Sequence, residues 1–236
     1  MMTTFNGTEK IGDIVTNFPG ASNLFKEYSI DFCCGGGRSL LEVLRLQGTN
    51  EESFIEQLNL SYLEVHRNKD RSVDWREKSS SELMDYVVNT HHAYLQKELP
   101  LLSEFTTKIL RVHGPAQGDV LARLHRLFHQ MKMELEQHLI AEEEVLFPLI
   151  RQYEESPSGA LLEKTVKAIN ELEADHSGVG DILKEMREIT NQYELPAEAC
   201  RTYTLTFQKL EELESDLFEH IHLENNILFP RMAEGL

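Results

Sequence analysis

Residues 138–148 read HLIAEEEVLFP, and residues 220–230 read HIHLENNILFP. The two stretches share a first His, a Glu at the fifth place, a β-branched residue at the eighth and a final Leu-Phe-Pro. Their offset is 220 − 138 = 82 residues. A match over so many positions predicts an internal repeat, and therefore a fold that contains two related helix hairpins.

Each copy of the repeat sets a His four residues before a Glu, as His138 with Glu142 and His220 with Glu224. In a helix, residues four apart lie on one face and one turn from each other. A single pair of this kind is more often a surface ion pair than a metal site. Its duplication between apolar residues favours a buried role for both pairs.

Four long stretches of helical apolar periodicity, roughly residues 80–112, 118–154, 160–190 and 198–234, predict four helices. The serines at 79–81 before Glu82 offer an N-cap to the first. Only 13 Gly and 7 Pro in 236 residues favour a few long helices over many short strands. The predicted fold class is all-α, with a small N-terminal helical domain followed by an up-down-up-down four-helix bundle.

The turns of the bundle can be located from its histidines. In an antiparallel hairpin with equal arms, the mean of the residue numbers of two residues at the same height gives the residue number at the turn. For successive members of the set His92, His138, His176 and His220 these averages are 115, 157 and 198. Prolines, which break helices, stand at 115, 157 and 196. The four histidines are therefore predicted to lie at one level, with Glu142 and Glu224 one turn away.

Four imidazoles and two carboxylates in a bundle core need a partner, because a buried uncompensated charge costs several kcal/mol. Nitrogen and oxygen donors suit iron, zinc or manganese. Two helices that each supply a carboxylate favour two metal ions bridged by both, with two imidazoles on each ion and positions open for a small diatomic ligand. The alternative is a buried polar network without metal.

The remaining histidines are predicted to lie outside the ligand set. His91 is expected to be solvated or to support a ligand, His222 to be solvated, and His125 and His129 to be at the surface or to line a pocket. In a straight helix His113 lies about 31 Å from His92, at ~1.5 Å per residue, too far for direct ligation.

Two acidic residues adjoin predicted ligands, Asp175 beside His176 and Glu143 beside Glu142. They are candidates to orient the ligands through hydrogen bonds. The alternative is that they belong to a solvated acidic face.

The N-terminal part has three short amphipathic patterns, near residues 11–18, 24–28 and 40–44. Residues 62–79 are polar and weakly periodic. The predicted domains are residues 1–61, a linker at 62–79 and the bundle at 80–236.

Residues 31–38 read DFCCGGGR, and adjacent cysteines rarely form a disulfide. A helix that starts near Ser39, with Arg38 beside it, would lower a thiol pKa. Cys33 and Cys34 are therefore candidate reactive thiols or soft iron ligands, with a tight turn of small buried residues as the alternative. Cys200, alone near the start of the fourth helix, is expected to be a small buried residue.

Composition excludes several classes of function. The chain has 40 acidic and 23 basic residues, a formal charge of −17, which argues against binding nucleic acid or anionic lipid through a basic surface. No apolar run reaches the ~18 residues of a membrane span, and no basic-then-apolar leader is visible. Three cysteines make no disulfide framework. A soluble, reduced, cytoplasmic protein is expected.

With these motifs together, the sequence resembles the iron–sulfur cluster repair di-iron family, RIC (repair of iron centres), over nearly the whole chain. Residues 11–40, which contain DFCCGGGR, resemble the family's short Cys-Cys-Gly-Gly domain, and the rest resembles its hemerythrin-like domain. The resemblance implies that His92, His138, His176 and His220 bind two non-haem irons, with Glu142 and Glu224 bridging and an oxo or hydroxo bridge between the irons. His113 matches a further histidine that the family often has at that place.

The resemblance also implies a function, the restoration of iron–sulfur clusters damaged by nitric oxide or peroxide, through iron donation, nitric oxide reduction or both. Its partners would be damaged iron–sulfur proteins and small ligands, with a homodimer left open. Cys33 and Cys34 would take part in redox chemistry or iron transfer. The alternative function is a hemerythrin-like carrier or sensor of oxygen or nitric oxide, which needs no thiols.

Overall fold

The computed structural model describes residues 5–68 and 73–233, and within them the chain is helical. The predicted all-α class is confirmed, and no β-strand occurs among the described residues. None of the described helices has both the length and the apolar character needed to cross a bilayer. The α-helices are α1 Ile11–Asn17, α2 Ala21–Glu27, α3 Leu40–Gln47, α4 Glu51–Asn68, α5 Ser80–Val87, α6 Ala93–Ala141, α7 Phe147–Glu155, α8 Gly159–Ile189, α9 Arg201–Leu223 and α10 Phe229–Ala233.

The chain divides into two compact units. One comprises Met1–Leu83 with Phe218–Glu234, which we call the cysteine unit, and the other is built from Met84–Leu217, which we call the bundle unit. The division falls within the last long helix, between Leu217 and Phe218. The predicted boundaries at 61 and 80 differ from this division and stay a prediction.

The bundle unit has four arms that alternate in direction. Along the first arm, residues 85, 92 and 107 contact residues 151, 142 and 125 of the second arm, in reverse order. The second and third arms pair residues 123 and 138 with 185 and 175 in the same way. The third and fourth pair 187 and 193 with 214 and 207, and the first and fourth pair 91, 98 and 113 with 216, 209 and 200. Reversed order at every contact confirms the up-down-up-down topology.

The turns lie close to the breakers in the sequence. The first is a kink in α6 at Gln117, which has φ −136° and ψ 31°, two residues after Pro115. The second is the break between Glu155 and Gly159. The third is longer, and three consecutive non-glycine residues, Asn191, Gln192 and Tyr193, have φ of 50°, 60° and 57° there.

The cysteine unit has its own apolar core. The three predicted amphipathic patterns supply most of it, α4 adds Phe54 and Leu58, and Phe218 packs against it from the chain's last long helix. The fully buried residues include Ile11, Ile14, Ala21, Phe25, Leu40, Leu44 and Leu58.

The predicted linker is more ordered than its sequence indicates. Helix α4 continues to Asn68, and a single 3₁₀ turn covers Trp75–Glu77, while residues 69–72 lie outside the described residues. The predicted N-cap is present, since the backbone N–H of Glu82 donates to Ser79 Oγ at 3.1 Å and the N–H of Ser79 donates to Glu82 Oε2 at 3.0 Å. This reciprocal pair is a capping box.

Candidate metal centre

Three arms of the bundle unit bring four predicted ligands together. His92, His138, Glu142 and His176 are all at most 3% exposed. The two oxygens of Glu142 face different imidazoles, with Oε2 3.3 Å from Nε2 of His92 and Oε1 3.2 Å from Nε2 of His138. A carboxylate placed in this way can serve two sites at once.

His176 completes one of those sites. Its Nε2 lies 3.0 Å from Nε2 of His138. One donor atom each of His138, Glu142 and His176 falls within a group whose atoms all lie within 4.8 Å of one another. Two ligands at right angles, each ~2.1 Å from a first-row divalent ion, would be ~3.0 Å apart. The donor set and its spacing therefore fit a metal ion.

Carboxylates orient two of these imidazoles from the far side of the ring. Nδ1 of His92 lies 2.8 Å from Glu143 Oε1, and Nδ1 of His138 lies 3.4 Å from Asp175 Oδ2. A proton on Nδ1 donates to the carboxylate and leaves the Nε2 lone pair directed inward, which is the common arrangement of metal-bound histidine. The structure thus favours the orienting role predicted for Glu143 and Asp175.

The second copy of the repeat has the same local geometry within the cysteine unit. Nε2 of His220 lies 3.2 Å from Glu224 Oε1, the distance also found between His138 and Glu142. His220 is 1% exposed and Glu224 is fully buried. The repeat in the sequence is therefore a repeat in structure, with one His–Glu pair in each unit.

Three of the predicted ligands each lie at a wide π turn, a feature that the sequence did not lead us to expect. These turns are Val88–His92, Glu142–Leu146 and Glu224–Leu228. The last two are each closed by the N–H of the following Phe, which donates to the carbonyl of Glu142 or Glu224. Prolines at 148 and 230, next in the chain, lack the N–H that an α-helix would need there. The Phe-Pro ending of the repeat was therefore the sequence signal that could have predicted these two π turns. Such turns are frequent at functional sites.

His91 and His222 are both buried. His91 is 3% exposed, with Nδ1 2.9 Å from Asp216 Oδ1. His222 is 5% exposed and contacts the Phe32 ring, and its burial lowers its pKa to about 4. Solvation was therefore wrong for His222, and of the two alternatives for His91 only the support of a ligand stays a prediction. The rings of His125 and His129 contact each other at a tilt, with centroids 4.2 Å apart, and the pKa of each is lowered mainly by partial burial.

The cysteine loop is organised by Asp31. Its Oδ1 accepts hydrogen bonds from the backbone N–H of Cys33 at 3.1 Å and of Cys34 at 2.9 Å. Cys33 is buried and Cys34 is exposed, with their sulfurs 3.8 Å apart. The pKa of Cys33 is raised, first by its hydrogen bond to Cys34 and then by burial and the Asp31 charge. This is opposite to the lowering predicted from Arg38 and the helix start, because the hydrogen bond to Cys34 and burial both favour the neutral thiol.

Cys200 was expected to be buried, and the structure corrects this. It is exposed, and its Sγ lies 3.2 Å from Nε2 of His113. His113, predicted not to bind metal directly, therefore has a thiol as its partner, on the fourth arm of the bundle.

Two buried ion pairs also escaped sequence analysis. Glu98, which is 4% exposed, lies 2.6 Å from Lys209 Nζ, and Glu214 pairs with Arg187. Both pairs join α9 to another arm. They could not be predicted from the sequence, because each pair joins residues on two arms that are distant in the chain.

Known protein families match both parts of this chain. A model of the hemerythrin HHE cation binding domain matches residues 83–232, and a model of a Domain of Unknown function (DUF542) matches residues 7–62. The iron-sulfur cluster repair protein ScdA of Staphylococcus haemolyticus is 31% identical over 94% of this chain and 97% of its own length. The chain belongs to the iron–sulfur cluster repair family.

Other relatives in the iron–sulfur cluster repair family match over a similar span. A probable iron-sulfur cluster repair protein of Haemophilus influenzae is 32% identical over 95% of this chain and 96% of its own. The iron-sulfur cluster repair protein YtfE of Citrobacter koseri is 31% identical over 96% and 97%. The cation-binding match in this family member spans all six predicted metal ligands, and the other match spans both adjacent cysteines.

Proposed function

We propose that this chain is a di-iron protein that repairs iron–sulfur clusters damaged by nitrosative or oxidative stress. The single observation that carries the proposal is the carboxylate of Glu142, whose two oxygens face His92 and His138 in a buried site. Relatives that match nearly end to end are named as repair proteins. Their targets, damaged iron–sulfur proteins, are the proposed partners here.

The proposed centre uses six side chains. His92, His138, His176 and His220 would hold two irons, with Glu142 and Glu224 bridging them. The oxo or hydroxo bridge predicted from the sequence is part of this proposal. When bound, the irons supply one-electron chemistry and exchangeable positions for a small ligand such as nitric oxide.

The protein's own groups prepare this site. Glu143 and Asp175 hold the Nδ1 protons of His92 and His138, which directs the Nε2 atoms of both rings into the site. The Phe147 ring stacks on His92 with centroids 6.0 Å apart and limits water on that side. Carboxylate oxygens hold ferrous iron less tightly than a thiolate cage would, which suits a centre that gives iron away.

Cys33 and Cys34 are proposed to take part in iron transfer or redox coupling. With Asp31 they offer three donor atoms that all lie within 4.8 Å of one another. The raised pKa of Cys33 suits a thiol that stays protonated until a metal displaces its proton. This group favours a repair factor over an oxygen or nitric oxide carrier, which would need no thiols. Nitric oxide reduction and a cytoplasmic location remain parts of the proposal.

Iron analysis with a repair assay tests the proposal. We expect about two irons per chain and restored activity of an iron–sulfur enzyme inactivated by nitric oxide, with the metal-free chain inactive as the control. Fewer than about one iron per chain, or zinc alone, contradicts the di-iron centre. Unchanged repair by the Cys33→Ala, Cys34→Ala double variant contradicts the role of the cysteines alone. Reversible oxygen binding without repair would favour the carrier.

A further inference from the structure

A second group of reactive side chains lies in the bundle unit at Cys200 and His113. Cys200 immediately precedes α9, and its Sγ lies 3.2 Å from Nε2 of His113 on α6. Cys200 is exposed to solvent, and His113 is half-buried. Neither residue belongs to the proposed iron centre, so the inference below does not rest on the proposed function.

The surroundings of the sulfur favour its ionised form. The hydrogen bond from His113 is the largest cause, and the backbone N–H groups of Tyr203 and Thr202, in the first turn of α9, add to it. Together they lower the pKa of the Cys200 thiol to about 7. His113 faces the sulfur from the first arm, while Glu198 and Arg201 flank Cys200 in sequence. A thiol that is hydrogen-bonded to an imidazole at the start of a helix is typical of reactive cysteines.

Packing fixes the imidazole in place. The ring of Tyr203 meets the His113 ring edge-on, with centroids 5.1 Å apart. Tyr203 is itself 2% exposed, and its hydroxyl donates to Gln117 Oε1 at 2.8 Å. The base that faces the thiol is therefore held by a buried and hydrogen-bonded neighbour.

A cavity of about 600 Å³ lies on the side of Tyr203, which lines it and also contacts His113, while Cys200 and His113 themselves are outside its lining. Leu195 and Phe207 are among its apolar lining residues, and Asp119 and Glu194 are its acidic ones. Among the described residues that line it, none is basic. A small molecule with amines fits this wall better than an anionic one.

We propose that Cys200 and His113 form an exchange site for low-molecular-weight disulfides of net positive charge. The Cys200 thiolate attacks one sulfur of the disulfide, a new S–S bond forms, and the original S–S bond breaks. The departing thiolate takes the proton from Nε2 of His113. The disulfide is the oxidant, so the electrons balance, and a second thiol reverses the step.

The test follows modification of Cys200 in the full-length chain. Digestion and mass spectrometry separate the peptide that contains Cys200 from the one that contains Cys33 and Cys34, so these two cysteines stay in place. Cystamine is the cationic probe and glutathione disulfide the anionic one. The rate of mixed-disulfide formation is measured from pH 5 to pH 10, and Cys200→Ser identifies the site.

We expect the rate in the natural chain to rise with a midpoint near pH 7, and cystamine to react faster than glutathione disulfide. In His113→Gln the midpoint should move toward the ~8.5 of an ordinary cysteine. At pH 6 the variant should react several-fold more slowly, because the lost thiolate fraction outweighs its higher nucleophilicity. His125→Gln, which removes an imidazole from the same helix, should leave the midpoint unchanged.

A midpoint above pH 8 in the natural chain overturns the proposal without recourse to any variant. An unchanged midpoint in His113→Gln, with helical content intact by circular dichroism, overturns the role of the imidazole. Faster reaction with glutathione disulfide than with cystamine overturns the assignment of the cavity.

Discussion

Asn226 donates its side-chain amide to the carbonyl oxygen of Cys33 at 3.1 Å. It also lies 3.3 Å from Nδ1 of His222. The segment that carries Glu224 is thereby joined to the loop that carries the adjacent thiols, within one unit.

The Asn226 side chain lies against Gly12 and Gly36, so adding a methyl group in this loop tests the contact. A Cβ at Gly36 would lie 2.7 Å from the carbonyl oxygen of Phe32 and would also press on Asn226, whereas a Cβ at Gly37 meets nothing within 4 Å. Gly36→Ala should destabilise the unit by about 1–3 kcal/mol through overpacking. Gly37→Ala should be neutral or slightly stabilising.

Urea unfolding followed by the single tryptophan, Trp75, reports on the cysteine unit, to which that residue belongs. Equal midpoints for the two glycine variants would contradict the close approach of Asn226 to the loop.

Replacing each of the three consecutive glutamates 142–144 by glutamine should change iron binding to very different extents. Glu142→Gln should remove most iron, because Glu142 faces two imidazoles. Glu143→Gln should weaken affinity about 10–100-fold, since Glu143 only orients His92. Glu144→Gln, an exposed position, should bind iron normally. Competition with a chelator measures the affinities, and full iron content in Glu142→Gln would refute its place in the centre.

The buried pair of Glu98 and Lys209 should be costly to break. Lys209→Met leaves Glu98 buried without its closest partner, and we expect a loss of ~3 kcal/mol in the free energy of unfolding, at the low end for such pairs because Lys209 is partly exposed. Lys97→Met is the control, since Lys97 is exposed and 3.6 Å from Glu98.

Replacing both members of the pair, as in Glu98→Leu with Lys209→Met, should recover most of the loss. Denaturation followed by circular dichroism decides, and equal effects of the two lysine variants would argue against a buried charge at Glu98.

The capping box at the start of α5 predicts a pH dependence. The backbone N–H of Ser79, aided by Lys78 and the Ser79 hydroxyl, lowers the pKa of Glu82 to about 2 from its ordinary value of 4.5. Because the folded pKa is depressed, this contribution is present above about pH 4.5 and is lost as the pH falls toward 2.

Glu82→Gln should therefore be less stable than the natural chain at pH 7, with the difference shrinking between pH 4.5 and pH 2. Glu77→Gln, an exposed neighbour, should show no such convergence. Unfolding by urea at a series of pH values provides the comparison, and a constant difference for Glu82→Gln would rule out the capping role.

The bundle, its turns and the convergence of predicted ligands within it followed from periodicity and proline positions. Apolar spacing specifies the faces of helices, and successive pairs of four histidines averaged to three turn positions close to those found. The arrangement of Glu142 between His92 and His138 needed only helix geometry and antiparallel neighbours, which local sequence encodes.

Other features depend on contacts that no local pattern contains. Burial of His91 and His222 depends on residues from distant segments, as do the pairs of Glu98 with Lys209 and of Cys200 with His113. The pKa of Cys33 was predicted with the wrong sign, since burial of the thiol and its hydrogen bond to Cys34 raise it. Such long-range packing decides electrostatics that spacing leaves open.

The closure of the cysteine unit has a consequence for synthesis. Cys33 and Asn226 are 193 residues apart, so at ~5–20 residues per second a ribosome needs ~10–40 s to make the second after the first. During that interval the N-terminal helices have been synthesised while Phe218 has not, so the apolar surface that Phe218 contacts is still uncovered. A product truncated before Phe218 would keep that surface uncovered permanently.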